Sequence, residues 1–411
     1  MRGIIISIGN ELLNGRTVNG NATEIARFLS QTGTRTIRVE TVPDLSSSII
    51  TALKGAMKDA EVIIMTGGLG PTHDDMTKGV LAEFFEVPLI FDEAVLRKVA
   101  ERYEKRALSM PEIVRNQALR PANALPLENQ WGTAPGLYIQ AENRHIYALP
   151  GVPREMRGLM KAHIIPRLRS LGGAAVGQVL NFRTTGISEP LLFETLQPFL
   201  KGYPDLETAF LPSLEGVDFR LTLRGENPEI LSAEVMKTIG AHVYSREPEG
   251  EIAAVLGEML LARGATLAVA ESCSGGLIQD RLTDIPGSSA YFLGGVVAYS
   301  NAVKTAELGV APDLLAKHGA VSEPVARQMA EGVRKRFGSD WGMATTGVAG
   351  PGGGSPEKPV GLVFIAVAGP EKNQAQAFRF GDERRPNKVR SAQAAMWMAV
   401  RELRQTIVKR A

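Results

Sequence analysis

Short apolar runs alternate with longer stretches whose apolar residues recur every three to four positions, and this alternation starts at the first residues of the chain. Strand-like runs at 3–8, 34–42 and 62–66 are each followed by a helical period, at 22–31, 48–58 and 76–86. Such β-α repetition predicts a parallel sheet covered by helices. Gly33 stands just past the first helix as a left-handed stop, and Pro43-Asp44 turns the chain into the second, with capping hydroxyls expected from Ser46 and Ser47. A further helix is expected over 92–106. The unit then closes with a strand at 146–149, the turn Pro150-Gly-Val-Pro153 and a helix to about residue 168.

The pattern changes at Leu171-Gly-Gly-Ala-Ala-Val-Gly177, a patch of small residues that reads as a boundary. Residues 178–248 give a strand, a helix at 189–199, the alternating run Asp218-Phe-Arg-Leu-Thr-Leu223 and a helix at 230–240, which is a small α+β module. Glu247-Pro-Glu-Gly250 reads as its exit linker. The β-α alternation resumes from 251. There Ser322-Glu-Pro-Val325 starts a helix, with Ser322 expected to accept from first-turn amides. Val325, Met329 and Val333 form a core stripe. The expected architecture is α/β: two three-layer α/β domains with mainly parallel sheets, at 1–172 and 251–411, joined by the small module at 173–250. Exposed sheet edges suggest a symmetric homodimer.

Composition narrows the functional classes. With 44% hydrophobic and 22% charged residues over 411 positions, this is an ordinary globular chain with more than one core. A formal charge of +2 and 6% aromatic residues give no basis for nucleic-acid binding. Basic clusters such as Arg334-Lys-Arg336 and Arg384-Arg385 read as solvated faces. One cysteine excludes a disulfide framework or a Cys-rich zinc site and fits the cytoplasm. No window approaches the length of a membrane span.

Two stretches carry chemistry. In the last block, Ala270-Glu-Ser-Cys-Ser-Gly-Gly276 leaves a strand for a helix, so Ser272 and Ser274 fall where outward N–H groups can hold an oxyanion or a phosphate. Tyr299-Ser-Asn-Ala-Val-Lys304 comes one element later. If Ser300 caps the next helix, Lys304 lies one turn inside it and faces back to the serine turn, provided the two strands are neighbours. A desolvated lysine can serve as the base of a serine amidase that lacks histidine, with the Tyr299 hydroxyl relaying the proton. On the plainer alternative the serines only cap a helix and Lys304 is a surface lysine. Downstream, Thr345-Thr-Gly-Val-Ala-Gly-Pro-Gly-Gly-Gly-Ser355 lets backbone approach a ligand, and Arg390 on the final helix is a phosphate clamp.

In the first block, Met65-Thr-Gly-Gly-Leu-Gly-Pro-Thr-His-Asp-Asp-Met-Thr77 leaves a buried strand on Gly67, Gly68 and Gly70 and then offers Asp74 and Asp75. Glycines permit close approach to phosphate, and the acidic pair suits a divalent cation bridging to it. The competing assignment is simple N-capping by Asp75. Gly9-Asn-Glu-Leu-Leu-Asn-Gly15, with Glu11 and Asn14, opens at the same carboxyl edge of the sheet.

Taken together these motifs resemble the CinA family, competence/damage-inducible protein A, over essentially the whole chain. The first block resembles the molybdopterin-cofactor-biosynthesis fold, its Thr66-Gly-Gly-Leu-Gly70 and Asp74-Asp75 matching a phosphate and metal loop. Residues 251–411 resemble the nicotinamide-nucleotide amidohydrolase domain through Ala270–Gly276, Pro286-Gly-Ser-Ser289, Tyr299-Ser-Asn301, Lys304, Gly319-Ala-Val-Ser-Glu323, Gly347-Val-Ala-Gly-Pro351 and Lys358-Pro-Val-Gly361. The middle module resembles a KH-like segment without a clear Gly-x-x-Gly clamp, so no RNA binding is carried over.

The resemblance implies hydrolysis of nicotinamide mononucleotide to nicotinate mononucleotide and ammonia without a cofactor. Ser272 would attack, Lys304 and Tyr299 would move the proton, and the amides of Ser274, Gly275 and Gly276 would hold the oxyanion. Thr346, Gly347, Gly350, Gly352 and Arg390 would hold substrate. Ser274 stands where the family usually has threonine, which makes it a rival nucleophile to the favoured Ser272. A second, metal-dependent ADP-ribose pyrophosphatase is implied for the first block. The alternative is a non-catalytic nucleotide- or pterin-binding module of an accessory protein in DNA uptake or repair.

Overall fold

Burial on both faces explains why the N-terminal run is a central strand. In the computed structural model, which describes residues 1–72, 75–171, 179–223 and 225–408, β1 (Arg2–Ile8) buries every residue from Gly3 onward. Ile4 and Ile6 join one apolar cluster and Ile5 the opposite one, the two-residue period of a strand covered on both sides. It pairs in parallel with β2 (Arg35–Val42) and β3 (Val62–Thr66). Two three-residue strands, β4 (Leu89–Phe91) and β5 (Leu119–Pro121), form a separate antiparallel ladder. Strands β6 (Leu125–Leu127), β7 (Gly136–Ala141) and β8 (Arg144–Leu149) complete the main sheet in the order β2-β1-β3-β8-β7-β6. The β6-β7-β8 half is antiparallel because turns, not helices, connect it; the helical alternation gave no sign of it.

Helices α1 (Asn10–Leu13), α2 (Gly20–Ser30), α3 (Ser46–Asp59), α4 (Thr77–Phe84) and α5 (Glu93–Lys105) succeed one another in chain order. Past β8, α6 (Pro153–Leu159) runs through a π turn, Met160–Ile164, into α7 (Ile165–Leu171). Gly33 has the expected left-handed backbone, φ 71°. The expected hydroxyl caps of α3 are absent: its N-cap is Leu45, with no side-chain acceptor. Asp44 turns the other way and accepts from the N–H of Asn10 at 2.9 Å.

The chain divides into two compact units, 1–177 and 178–411. The expected boundary patch at 172–177 lies outside the described residues. In the second unit, β9 (Val179–Thr184), α8 (Glu189–Gly202), β10 (Glu207–Pro212), β11 (Val217–Thr222), α9 (Pro228–Ile239) and β12 (Val243–Ser245) build an antiparallel sheet in the order β10-β11-β9-β12. This module has its own apolar cluster, but it is tied to the C-terminal α/β layers. Tyr244 belongs to the same core as Trp341, and Arg404 donates to the Val243 carbonyl.

After α10 (Ile252–Leu261) come β13 (Leu267–Glu271), α11 (Leu277–Thr283), β14 (Phe292–Val297), α12 (Asn301–Leu308), α13 (Pro312–His318) and α14 (Glu323–Phe337). The chain ends with β15 (Trp341–Gly347), β16 (Leu362–Ala368), β17 (Asn373–Arg379) and α15 (Arg384–Val408). The sheet order is β14-β13-β15-β16-β17. Parallel pairing of β13 with β14 and β15 gives way to antiparallel β16 and β17, because the glycine-rich loop after β15 returns the chain without a crossover helix. Val325, Met329 and Val333 are fully buried. Ser322 is the N-cap of α14 but does not accept from it; its hydroxyl donates to the Gly319 carbonyl. Among the described residues no helix is long and apolar enough to cross a membrane.

Two contacts hold α12 and α11 in place beside the sheet. Gly332 of α14 lies against the end of α12, where a Cβ would stand 1.9 Å from the Leu308 carbonyl oxygen. Glu271, at the end of β13, is fully buried and accepts from the N–H groups of Ile278 at 3.1 Å and Gln279 at 3.0 Å. Its carboxylate thus caps α11 from inside the protein. We expect Glu271→Ala to cost about 2–4 kcal/mol, since one buried and one part-buried N–H group lose their carboxylate acceptor, and Glu271→Gln to recover part of that. Urea unfolding measures both; a loss below about 0.5 kcal/mol would show that the cap is dispensable.

Candidate active site

Parallel pairing sets the carboxyl ends of β13 and β14 side by side, Glu271 opposite Val297. The turn after β13 carries Ser272 and the segment after β14 carries Tyr299 and Ser300, so the expected juxtaposition of these turns is present. Ser300 caps α12, its hydroxyl accepting from the Val303 N–H at 3.3 Å. Lys304 then lies one turn inside the helix and points back to the sheet.

The Lys304 side chain is 1% exposed. Its Nζ donates to Ser272 Oγ at 3.1 Å, to the Ala298 carbonyl at 2.7 Å and to the Tyr299 carbonyl at 3.4 Å. None of these partners is a carboxylate, so burial pulls the ammonium below its ordinary value, with the neighbouring Cys273 thiol opposing weakly. Two of the three partners can only accept. When Lys304 is neutral, its two N–H bonds satisfy those carbonyls and its lone pair faces Ser272 Oγ.

The two serines separate clearly. Ser272 keeps a little exposure and its Oγ meets Lys304, whereas Ser274 is fully buried with its hydroxyl 2.6 Å from Thr345 Oγ1. Ser274 locks the turn to β15. Between them, burial pushes the Cys273 thiol up to about 12, so it is no thiolate at neutral pH.

Several expected contacts are placed differently. The Tyr299 side chain is 63% exposed and its hydroxyl meets Arg384 at 3.4 Å; it is the main-chain carbonyl of this residue, not the hydroxyl, that faces Lys304. The Gly275 N–H bonds the Ser272 carbonyl at 3.1 Å, which removes it from the expected oxyanion donors and leaves Ser274 and Gly276. Gly276 has φ 92° at the start of α11. Thr346 donates its hydroxyl to the Ala320 carbonyl, and Gly347 is needed by the hairpin, where a Cβ would come within 2.6 Å of the Leu362 oxygen. In the loop beyond, Gly350 packs on the Asp382 carbonyl, while Gly352 borders open space. Arg390 has its guanidinium beside Gly381.

Glu271 and Lys388 were not singled out by the sequence. The Lys388 Nζ lies 3.2 Å from where a Cβ on Gly275 would stand. Glu271 sits inside the serine motif itself, which was the available signal; Lys388 lies on a helix of ordinary pattern and gave none. The basic cluster Arg334-Lys-Arg336 pairs with Glu331 and Glu307, as a solvated face should.

In the N-terminal unit a cavity of about 560 Å³ opens at the carboxyl ends of β1, β3 and β8. Glu11, Gly67, Gly68, Gly70, Asp75 and Glu155 line it. Asn14 does not; its Oδ1 accepts from the Arg16 N–H. The glycines have structural duties: a Cβ would stand 2.2 Å from the Ile8 oxygen at Gly67 and 2.5 Å from Thr77 Oγ1 at Gly68, both at positive φ. Asp75 accepts from the Gly70 and Thr72 N–H groups and the Thr72 hydroxyl, so it caps its own loop rather than α4. Asp74 lies outside the described residues. Among the described residues no three His, Cys, Asp or Glu side chains are grouped to hold a metal ion. Asp75 thus gives three of its acceptor sites to its own loop.

Two further groups stand near this loop. Glu155, on α6, has its carboxyl raised above the ordinary value by burial, against the hydrogen bond from Asn129. Lys78, on α4, is 7% exposed, donates to the Asn116 carbonyl at 2.7 Å and is pulled down to about 8 by desolvation.

Two family models match separate parts of the chain. Residues 249–403 match the CinA C-terminal domain and residues 4–170 the probable molybdopterin binding domain. A CinA-like protein of Salinibacter ruber is 41% identical over 98% of this chain and 100% of its own length. Another, of Gemmatimonas aurantiaca, is 43% identical over 88% and 87%. A crystal structure of CinA from Thermoplasma acidophilum, of unknown function, matches 41% of this chain and 97% of its own, with 35% identity and a TM-score of 0.38. By domain content and by identity over its whole length, the chain belongs to the CinA family.

Proposed function

We propose that the C-terminal unit is a serine-lysine amidase that hydrolyses the carboxamide of nicotinamide mononucleotide. The observation that carries this reading is the buried Lys304 ammonium, which has no carboxylate partner among the described residues and contacts Ser272 Oγ at 3.1 Å. A lysine held in this way is poised to lose its charge, and neutral amine is what a serine nucleophile needs.

Ser272 Oγ attacks the carboxamide carbon while Lys304 takes its proton, and the carbonyl electrons move onto oxygen, facing the N–H groups of Ser274 and Gly276. Collapse of this intermediate breaks the C–N bond. Lys304 returns the proton to the departing nitrogen, which leaves as ammonia while the acyl carbon remains bonded to Ser272 Oγ as an ester. Water then attacks that ester, Lys304 accepting its proton and passing it to Ser272 Oγ as nicotinate mononucleotide departs. No step requires a metal. The nucleotide substrate is inferred from the family resemblance; the dyad supports the amidase class.

For the N-terminal unit the favoured reading is a phosphorylated nucleotide, with ADP-ribose first among those to test. Its support is a roomy polar cavity at the sheet edge where open α/β folds bind ligands. A divalent cation, if held through Asp74, would neutralise the diphosphate there. The same cavity also suits a binding module without turnover.

Three outcomes are expected. Purified protein should release ammonia from nicotinamide mononucleotide equally with and without a chelator, and Ser272→Ala or Lys304→Ala should each lower kcat about a thousandfold or more. Retained turnover in either variant would sink the dyad. Second, kcat/KM measured from about pH 6 to about pH 10 should rise with pH through one ionisation below the ordinary lysine value, because only neutral Lys304 accepts the proton. A profile falling across that range would contradict it. Third, ADP-ribose should be hydrolysed only with a divalent cation, and Asp74→Asn should abolish this; binding without product in the wild type would identify a binding module.

A further inference from the structure

The start of α15 is fastened to two loops beside the serine turn. Asn387 is 1% exposed, and its Nδ2 donates to the Ala349 carbonyl at 3.0 Å and the Gly381 carbonyl at 2.9 Å. One holds the segment after β15 and the other the segment before α15. The next residue, Lys388, is thereby aimed. Its Nζ reaches over Gly275, three residues from Ser272, and a side chain at Gly275 would meet both Nζ at 3.2 Å and Cε at 3.6 Å. Lys388 is half-buried and forms no ion pair among the described residues. A half-buried ammonium beside the nucleophile turn and without an anion of its own among the described residues is a site for an anion.

The amide chemistry leaves this cation unused. Proton transfer belongs to Lys304, and the pyridinium carboxamide of this substrate is itself cationic, so the ring offers an ammonium no partner and the phosphate is the substrate's only anionic group. Arg390, the phosphate clamp expected from the sequence, lies beside Gly381, whereas Lys388 lies over the nucleophile turn itself. We propose that Lys388 binds the phosphate monoester of the substrate and makes this site select a nucleotide over the corresponding nucleoside, an assignment that rests on the amidase reading of the same site. Lys388 acts on binding and not on bond breaking. Its loss should therefore appear in KM for the phosphorylated substrate, with kcat little changed.

The test separates this assignment from the amidase reading by measuring binding without turnover. In the full chain carrying Ser272→Ala, calorimetry should show Lys388→Met weakening nicotinamide mononucleotide about tenfold or more, the scale of one charged hydrogen bond. Affinity for nicotinamide riboside should change less than about twofold, and Lys388→Arg should restore most of the nucleotide affinity. Arg390→Gln serves as the comparison and should disturb the nucleotide-to-nucleoside ratio less. Equal weakening of both ligands, or of neither, would overturn the assignment, as would a larger effect on the ratio from Arg390→Gln. If wild-type protein releases no ammonia while Lys388→Met still removes the preference for the phosphorylated ligand, the amidase reading fails and the phosphate site stands.

Discussion

A lysine taken out of water with no counter-charge is the constraint on which the C-terminal site rests. Charged, Lys304 faces three neutral oxygens in a desolvated interior; neutral, it satisfies two carbonyls and presents its lone pair to a hydroxyl. Many surrounding features serve to keep that amine in place. Ser300 begins the helix that carries it, Gly332 lets α14 pack against the end of that helix, and Ser274 with Thr345 fixes the opposing turn. The acidic residue nearest in sequence to the nucleophile, Glu271, is turned away to cap α11. A carboxylate aimed at Lys304 instead would have held it charged and unfit as a base.

Much of this arrangement was legible in the residues, for reasons that are local. Strand runs with two buried faces, a serine one turn before the lysine, and the i, i+4 stripe of Val325, Met329 and Val333 each report on their own element. What escaped notice depends on distant partners. The hydroxyl of Tyr299 was a reasonable relay by spacing, but the chain presents its carbonyl to Lys304 and turns the ring outward. Lys388 comes from more than eighty residues past Lys304 and reaches Gly275 from a helix whose start Asn387 ties to two loops. The hairpins β6-β7 and β15-β16-β17 also escaped, because a β-α rhythm says nothing about the direction in which a short loop returns the chain.

The N-terminal unit shows how one motif serves two masters. Gly67 and Gly68 looked like a phosphate cradle, yet each is required first by a neighbouring part of the protein, the Ile8 carbonyl and the Thr77 hydroxyl. Glycine allows the loop to nest against β1 and α4, and the cavity is what that nesting leaves open. Asp75 stiffens the same loop by gathering its N–H groups.

The helix that bears Lys304 has a property of its own. It is eight residues long, opened by the Ser300 hydroxyl and closed at Gly309 in a left-handed turn, with the Val310 N–H returning to the Lys304 carbonyl. Such an element is self-terminating at both ends. The length of this cassette is therefore set by its own residues while its seat is set by α14 through Gly332, so the base can be shifted from a distance by a substitution that never touches the helix carrying it.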